Sequence, residues 1–447
     1  MLEKIINEAK KHFSSCEATT FKRVSTPVGF ESGRLKEIQQ NERSGFALRA
    51  IKDGKMTFAA TTKPDDVEDL VAQALESAPY APEAIVEFAA SGGSFEKPAI
   101  TNDNTRNLTT EKMIEMGKEA VDFLKPLHEK ALVGAGVKKT LHKVEIATSK
   151  GFQASYERDE FSFYAGLDLT TGENFLQVGE GWGSVQIIPS TKQLLEIVKD
   201  QFTWGLKNVP IKTGKYKVIF APGAFFHAIN VLMASFDGKN IEKGVSPFKD
   251  RLREKIFDER FTMQDDGLLS GSLASAPFDD EGTPTQTTPL VEKGVLKNFI
   301  ADRRTANKIG LPATGNGFKM GAGFGLEPDV ESQPSITPTT ISVAGGTSDS
   351  KKIFASLDEG VFVNDLIGTM MGNPLTGMLA GNIALGFLVK GGQVQGRIKD
   401  AMISVNLFDA LKSSIIELSK DVHVSGWRSN QRLPYILLDG CTIATPE

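Results

Sequence analysis

Before Val209-Pro210 the chain twice runs from a helix-periodic segment through strand-like runs to another helix-periodic segment, and after that dipeptide the texture changes. Leu2, Ile5, Ile6, Ala9 and Phe13 recur at helical spacing. Residues 45–51 and 56–60 read as strands joined through Lys52-Asp53-Gly54-Lys55, a hairpin signal. A second helix is expected from Pro64-Asp65-Asp66, with Val67, Leu70, Val71, Ala74 and Leu75 on one face. The layout then repeats. Thr109-Thr110-Glu111 opens a helix, residues 144–148, 152–156 and 161–164 read as strands with a turn at Ser149-Lys150-Gly151, and Leu194, Leu195, Ile197, Val198 and Phe202 mark a closing helix. Residues 79–109 lack periodicity and read as a link between the two units. Beyond Val209-Pro210 a strand at 216–221 leads to a helix at 224–235, and glycine and proline then punctuate short strands such as 360–363 and 383–389. A helix at 407–418 and a strand at 435–438 close the chain. The expected class is α+β: helix–antiparallel meander–helix units over residues 1–208 and a strand-rich, barrel-like domain over 209–447.

A length of 447 residues favours two cores over one. No run approaches the length of apolar residues that spans a bilayer, so no membrane span is expected. The opening residues lack the layout of a secretory signal, and Cys16 and Cys441 form neither a disulfide framework nor a zinc ribbon, which makes a cytoplasmic protein the expectation. The net charge is −5, and the densest basic cluster, Lys249 to Arg253, runs straight into Glu254, Asp258 and Glu259. Without a sustained basic face to replace phosphate counterions, direct nucleic-acid binding is not expected.

Familiar catalytic patterns are scarce. Gly321-Ala322-Gly323-Phe324-Gly325 is followed by Leu326-Glu327-Pro328, which forbids the helix a phosphate loop requires, so a flexible turn is expected. No Gly-x-Ser-x-Gly elbow is present. Asp279-Asp280-Glu281 could bind a cation, and with Gly282-Thr283-Pro284 behind it fits an exposed turn equally well. The histidines are His12, His128, His142, His227 and His423. A zinc peptidase needs converging imidazoles and a carboxylate to deprotonate the bound water. His128-Glu129 begins that way, but Leu132 and Val133 stand where a second His should fall. His227, among Phe225, Phe226, Ile229 and Leu232, reads as one hydrogen-bonded polar group on a buried helix.

Several segments, in order, resemble the TldD/PmbA family: Phe220-Ala221-Pro222-Gly223, Asp265-Asp266-Gly267, Phe278-Asp279-Asp280-Glu281-Gly282-Thr283-Pro284, Lys293-Gly294-Val295-Leu296 and Thr314-Gly315-Asn316-Gly317. Glu359-Gly360-Val361-Phe362-Val363, Asn373-Pro374-Leu375-Thr376-Gly377 and residues 386–392 complete the series. The resemblance implies that the helix at 224–235 is where catalytic members carry His-Glu-x-x-x-His, with a Cys ligand near the C-terminus. Here His227 takes the first His position, Ala228 that of the Glu and Leu232 that of the second His. The stretch 426–434 holds no Cys, and Cys441 lies later. The resemblance therefore implies a metal-free PmbA/TldE-type member, with no cofactor in this chain and zinc in a TldD-type partner subunit. Such a complex degrades unfolded peptides or trims peptide precursors. Asp279, Glu281, Thr369 and Thr376 are the candidate peptide-cleft residues, and a strand-rich domain suits main-chain recognition of an extended peptide. The family's older name, modulator of DNA gyrase, implies at most an indirect effect given the charge. Two alternatives stay open: a stand-alone peptide-binding or scaffolding protein, and a hydrolase with a Ser or Thr nucleophile between Gly368 and Gly377, where no base lies near in sequence. Whether the chain forms a homodimer is also open.

Overall fold

The computed structural model describes residues 1–446 except 64–65, 92–93, 321–329 and 426–429. The expected helix start at Pro64-Asp65, the glycine run from Gly321 to Gly325 and residues 426–429 of the expected Cys stretch lie outside the described residues.

Helix α1 (Leu2–Ala9) leads into strands β1 (Ser15–Glu31), β2 (Arg34–Ile38), β3 (Asn41–Lys52) and β4 (Lys55–Thr61), followed by α2 (Val67–Ser77). A short helix α3 (Asp103–Arg106) and α4 (Thr110–Leu124) precede β5 (Leu132–Thr148), β6 (Gln153–Thr171), β7 (Asn174–Ser184) and α5 (Lys192–Gly205). The two meanders join edge to edge through β1 and β5, giving one antiparallel sheet of order β4-β3-β1-β5-β6-β7 with β2 on β1. Asp53 and Gly54, both at positive φ, make the tight turn between β3 and β4 that the Asp-Gly pair demands.

Alternation along these strands sorts the packing. Cys16, Ala18, Leu48 and Ala50 meet α1 and α2. Phe161, Phe163, Ala165 and Leu167, farther along, lie in the core that includes α4 and α5. The opposite face of the β1–β3 end carries Glu17, Thr19 and Arg49, all buried.

The second half contributes β8 (Gly214–Phe220), α6 (Pro222–Phe236), β9 (Met263–Asp266), β10 (Thr287–Glu292), β11 (Val295–Leu296), β12 (Gly317–Phe318), β13 (Ser335–Ile336) and β14 (Ile341–Val343). Then come β15 (Glu359–Ile367), β16 (Met378–Lys390), β17 (Gln393–Arg397), β18 (Met402–Asn406), β19 (Ile415–Ser425) and β20 (Gln431–Ala444). Because β20 pairs with both β18 and β8, strands β20-β18-β16-β15-β8 close into a five-stranded barrel, the barrel-like architecture expected from sequence. Barrel residues Val218, Phe220, Val361, Ile436 and Leu438 pack in one core with α6, while Ile219, Phe362, Phe387 and Leu437 belong to the core that includes α4 and α5. The two sheets share no strand among the described residues, yet their cores meet through the barrel wall.

Three sequence expectations need correction. The runs at 152–156 and 161–164 are one strand, β6; the charges between them mimic a turn but find partners, Asp159 and Glu157 with Arg106 and Glu160 with Lys138 and His142. Strand β1 was not expected at all, its polar residues and Pro27 masking it. Pro27 is tolerated because its β3 pairing has already ended at Ser25. The helix expected over 407–418 stops at Ser413, and Ile415 begins β19 by pairing with Leu438.

Candidate functional site

Helix α6 follows β8 directly, with Pro222 at its first position, where the missing N–H costs no hydrogen bond. Twelve of its fifteen residues are buried, so the helix is core on nearly every side and His227 is a polar exception within it. His227 Nδ1 lies 2.8 Å from Thr369 Oγ1. Nε2 lies 3.4 Å from Oδ1 of Asp365 on β15. With its proton on Nε2 the ring accepts the Thr369 hydroxyl at Nδ1 and turns its N–H toward Asp365. Gly381 makes this approach feasible, since a Cβ there would meet Thr369 Cγ2 at 2.7 Å and the Ile367 carbonyl at 2.9 Å.

These residues do not fit zinc. Ala228 is 2% exposed and Leu232 0%, so the helix offers hydrocarbon where a base and a second imidazole would be needed. Among the described residues no three His, Cys, Asp or Glu groups converge so as to hold a metal ion. Cys441, fully buried opposite Tyr216 on β8, has its thiol pushed up to about 12 by burial and is neither ligand nor nucleophile there.

The structure supplies what sequence distance hid: Thr369 does have a base beside it. The pairing has the form of a nucleophile and its activator. Thr369 is only 6% exposed, however, and its hydroxyl is spent on the imidazole, so it does not present an oxygen to a peptide carbonyl. Thr376 stands apart on an exposed one-turn helix, donating to the Asn373 carbonyl at 2.8 Å.

Asp279, Asp280 and Glu281 are not an exposed turn: they are 1%, 9% and 4% exposed. Asp279 accepts the backbone N–H groups of Glu281, Thr283 and Gly317 at 2.8–3.0 Å. Burial and the neighbouring Glu281 push its carboxyl well above the usual range. Glu281 reaches Arg49 Nη1 at 3.2 Å, and Arg49 Nε meets Glu17 at 2.8 Å, its directly opposed cross-strand partner. Asp280 accepts the Lys319 backbone N–H, while the Lys319 ammonium donates to Thr19 and is pushed down to about 8 by burial. Asp265 accepts from Asn316 and from both donors of Thr339, with burial raising it to about 6. The motifs at 265–267, 278–284 and 314–317 thus converge on one buried polar cluster. Gly315 shows how tight it is, since a Cβ there would stand 2.4 Å from the Pro284 carbonyl. The structure joins Glu281 to the first sheet through Arg49 and Thr369 to His227, two separate places, while Asp279 is held by backbone N–H groups of the second half.

The other histidines are dispersed. His12 sits 3.8 Å from Glu8, His128 accepts the Lys130 N–H, and His423 lies 3.3 Å from Asp421. His142 is buried against Glu160 at 3.3 Å, and burial pushes it down to about 4.

The family model for the PmbA/TldA metallopeptidase C-terminal domain matches residues 213–445, and that for domain 1 matches residues 21–78. The chain belongs to the PmbA/TldD family. An uncharacterised protein from Methanocaldococcus jannaschii is 28% identical over 423 residues, covering 93% of this chain and 94% of the relative. A metalloprotease from the same organism is 22% identical, covering 94% of each. The crystal structure of TldE from Thermococcus kodakarensis superposes with a TM-score of 0.90 at 23% identity, covering 99% of both chains. The match to the TldE structure, at 99% of both chains, shows that this chain carries that fold over its length. Among the described residues no helix is long and apolar enough to cross a membrane.

Proposed function

We propose that this chain is the non-catalytic, TldE-type subunit of a cytoplasmic TldD/TldE-like metallopeptidase that acts on unfolded or precursor peptides. The observation that carries the reading is the surrounding of His227. Beside it Ala228 and Leu232 are buried hydrocarbon, so this helix can neither hold a zinc ion nor deprotonate a water on it. The catalytic zinc belongs to the partner subunit, and this chain contributes a wall of the substrate chamber.

An exposed apolar strip beside His227 supports contact with another chain. Ile367 and Met402 stand 61% and 49% exposed on either side of Asn382 across three adjacent strands. Met370 and Met371, on the loop that carries Thr369, are 69% and 90% exposed. Such an exposed apolar cluster suits an interaction site, and methionine adapts to varied partners. The test is affinity purification of the tagged chain from its native host, followed by elemental analysis and peptidase assay. A zinc-bearing family member should co-purify and carry the activity. Recovery of the chain alone with about one zinc per chain, lost on His227→Ala, would overturn the assignment.

A further inference from the structure

Away from α6, a small cavity that opens to solvent lies between strands β1, β5 and β6 and the segment around Phe318 and Thr337. Among the described residues two cations line it, and one of them is answered. Lys319 donates to Thr19 and lies in the field of Glu17 and Asp280. Arg158 is 7% exposed, its Nε is buried without a partner, and among the described residues its side chain makes no hydrogen bond or ion pair. Its neighbours explain this. Glu157 and Asp159 turn to Arg106, Glu160 is taken by Lys138 and His142, and the residue opposite on β5 is the neutral His142.

A guanidinium remains charged at every pH a protein meets, and a buried charge without a counterion is costly. The walls beside it, Phe21, Val144 and Phe318, are apolar. We propose that this cavity is a binding site for an apolar carboxylate, its carboxyl group held by Arg158 and its hydrocarbon body lying on Phe21 and Val144. The planar fork matches a carboxylate in two parallel hydrogen bonds, and the apolar walls discriminate against inorganic anions that would have to shed water for no gain. The occupant is either a free acid or the C-terminal residue of a peptide. The assignment stands independently of the subunit reading.

The test is fluorescence anisotropy on the full chain with a fluorescein-labelled six-residue peptide ending in valine, as free acid and as amide, with isovalerate and inorganic phosphate as competitors. The free acid should bind at least about tenfold more tightly than the amide, and Arg158→Gln should remove that preference, the size expected for a charge-assisted pair. Isovalerate should compete and phosphate should not. Isovalerate raising the melting temperature while the peptide acid fails to bind identifies a free acid, and peptide acid binding more tightly than isovalerate identifies a chain end. Arg158→Gln removes an unpartnered charge and should melt no lower than wild type. If it does melt lower, Arg158→Lys, which keeps charge without the fork, should still lose most of the preference. Equal and measurable affinity for acid and amide, or full preference in Arg158→Gln, overturns the proposal, as does the lack of any response to isovalerate at millimolar concentration.

Discussion

His227 bonds Thr369 through Nδ1 and faces Asp365 with Nε2, in a helix with no other His, Cys, Asp or Glu to offer a metal. Its role on this account is packing. His227→Gln should cost about 1 kcal/mol, the worth of a typical buried hydrogen bond, read from urea melts, and leave peptide turnover by the assembled complex unchanged. A large loss of turnover with normal assembly would show instead that the imidazole reaches the chemistry across the interface. His142 is the residue that should shape the acid limb of stability. Its unfolded value is 6.5 and its folded value about 4, so within that window the unfolded chain binds more protons and stability falls as pH falls. The loss should approach about 3 kcal/mol between those limits, from 1.36 kcal/mol per unit. In His142→Gln the same melts at pH 7 and pH 4 should differ by correspondingly less; an unchanged slope would contradict the buried neutral state.

At the scale of elements, what the sequence made legible was local. The Asp53-Gly54 hairpin, helices α4 and α5, and α6 after Pro222 each declare themselves through adjacent residues. What stayed hidden depended on distant partners. The charges at 157–160 read as a loop until Arg106 and Lys138 are beside them. The acids at 279–281 read as exposed until Arg49, from a strand more than two hundred residues earlier, lies against Glu281. Thr369 could not be linked to His227, its partner 142 positions away. Turns offer a sharp test of this difference between local and long-range constraint. Gly54 and Gly294 both sit at positive φ, but a Cβ at Gly54 meets open space and one at Gly294 would stand 2.2 Å from the Phe257 carbonyl. Gly54→Ala should cost about 1 kcal/mol from backbone conformation alone, and Gly294→Ala distinctly more because the backbone must move. Equal melting shifts for the two variants would show that the second turn is not held as described.

Across the whole molecule, the two sheets are tied by charge as well as by apolar packing. Arg49, on the first sheet, is shared between Glu17 beside it and Glu281 from the second half. Arg49→Met would leave two buried carboxylates without their hydrogen-bonded guanidinium, with Lys319 the remaining cation near them, a cost of roughly 3–5 kcal/mol by analogy with broken buried pairs. Calorimetry should show both halves melting earlier, whereas a loss below about 1 kcal/mol would mean the pair is peripheral to stability. The larger claim is that a chain with this family's fold has given up its own metal chemistry and works through a partner. The direct measurement is casein hydrolysis by this chain alone, by a cognate TldD-type subunit alone and by the two together, each with and without a strong chelator. The account predicts no hydrolysis by this chain alone and chelator-sensitive hydrolysis by the pair; chelator-resistant hydrolysis by the lone chain would contradict it.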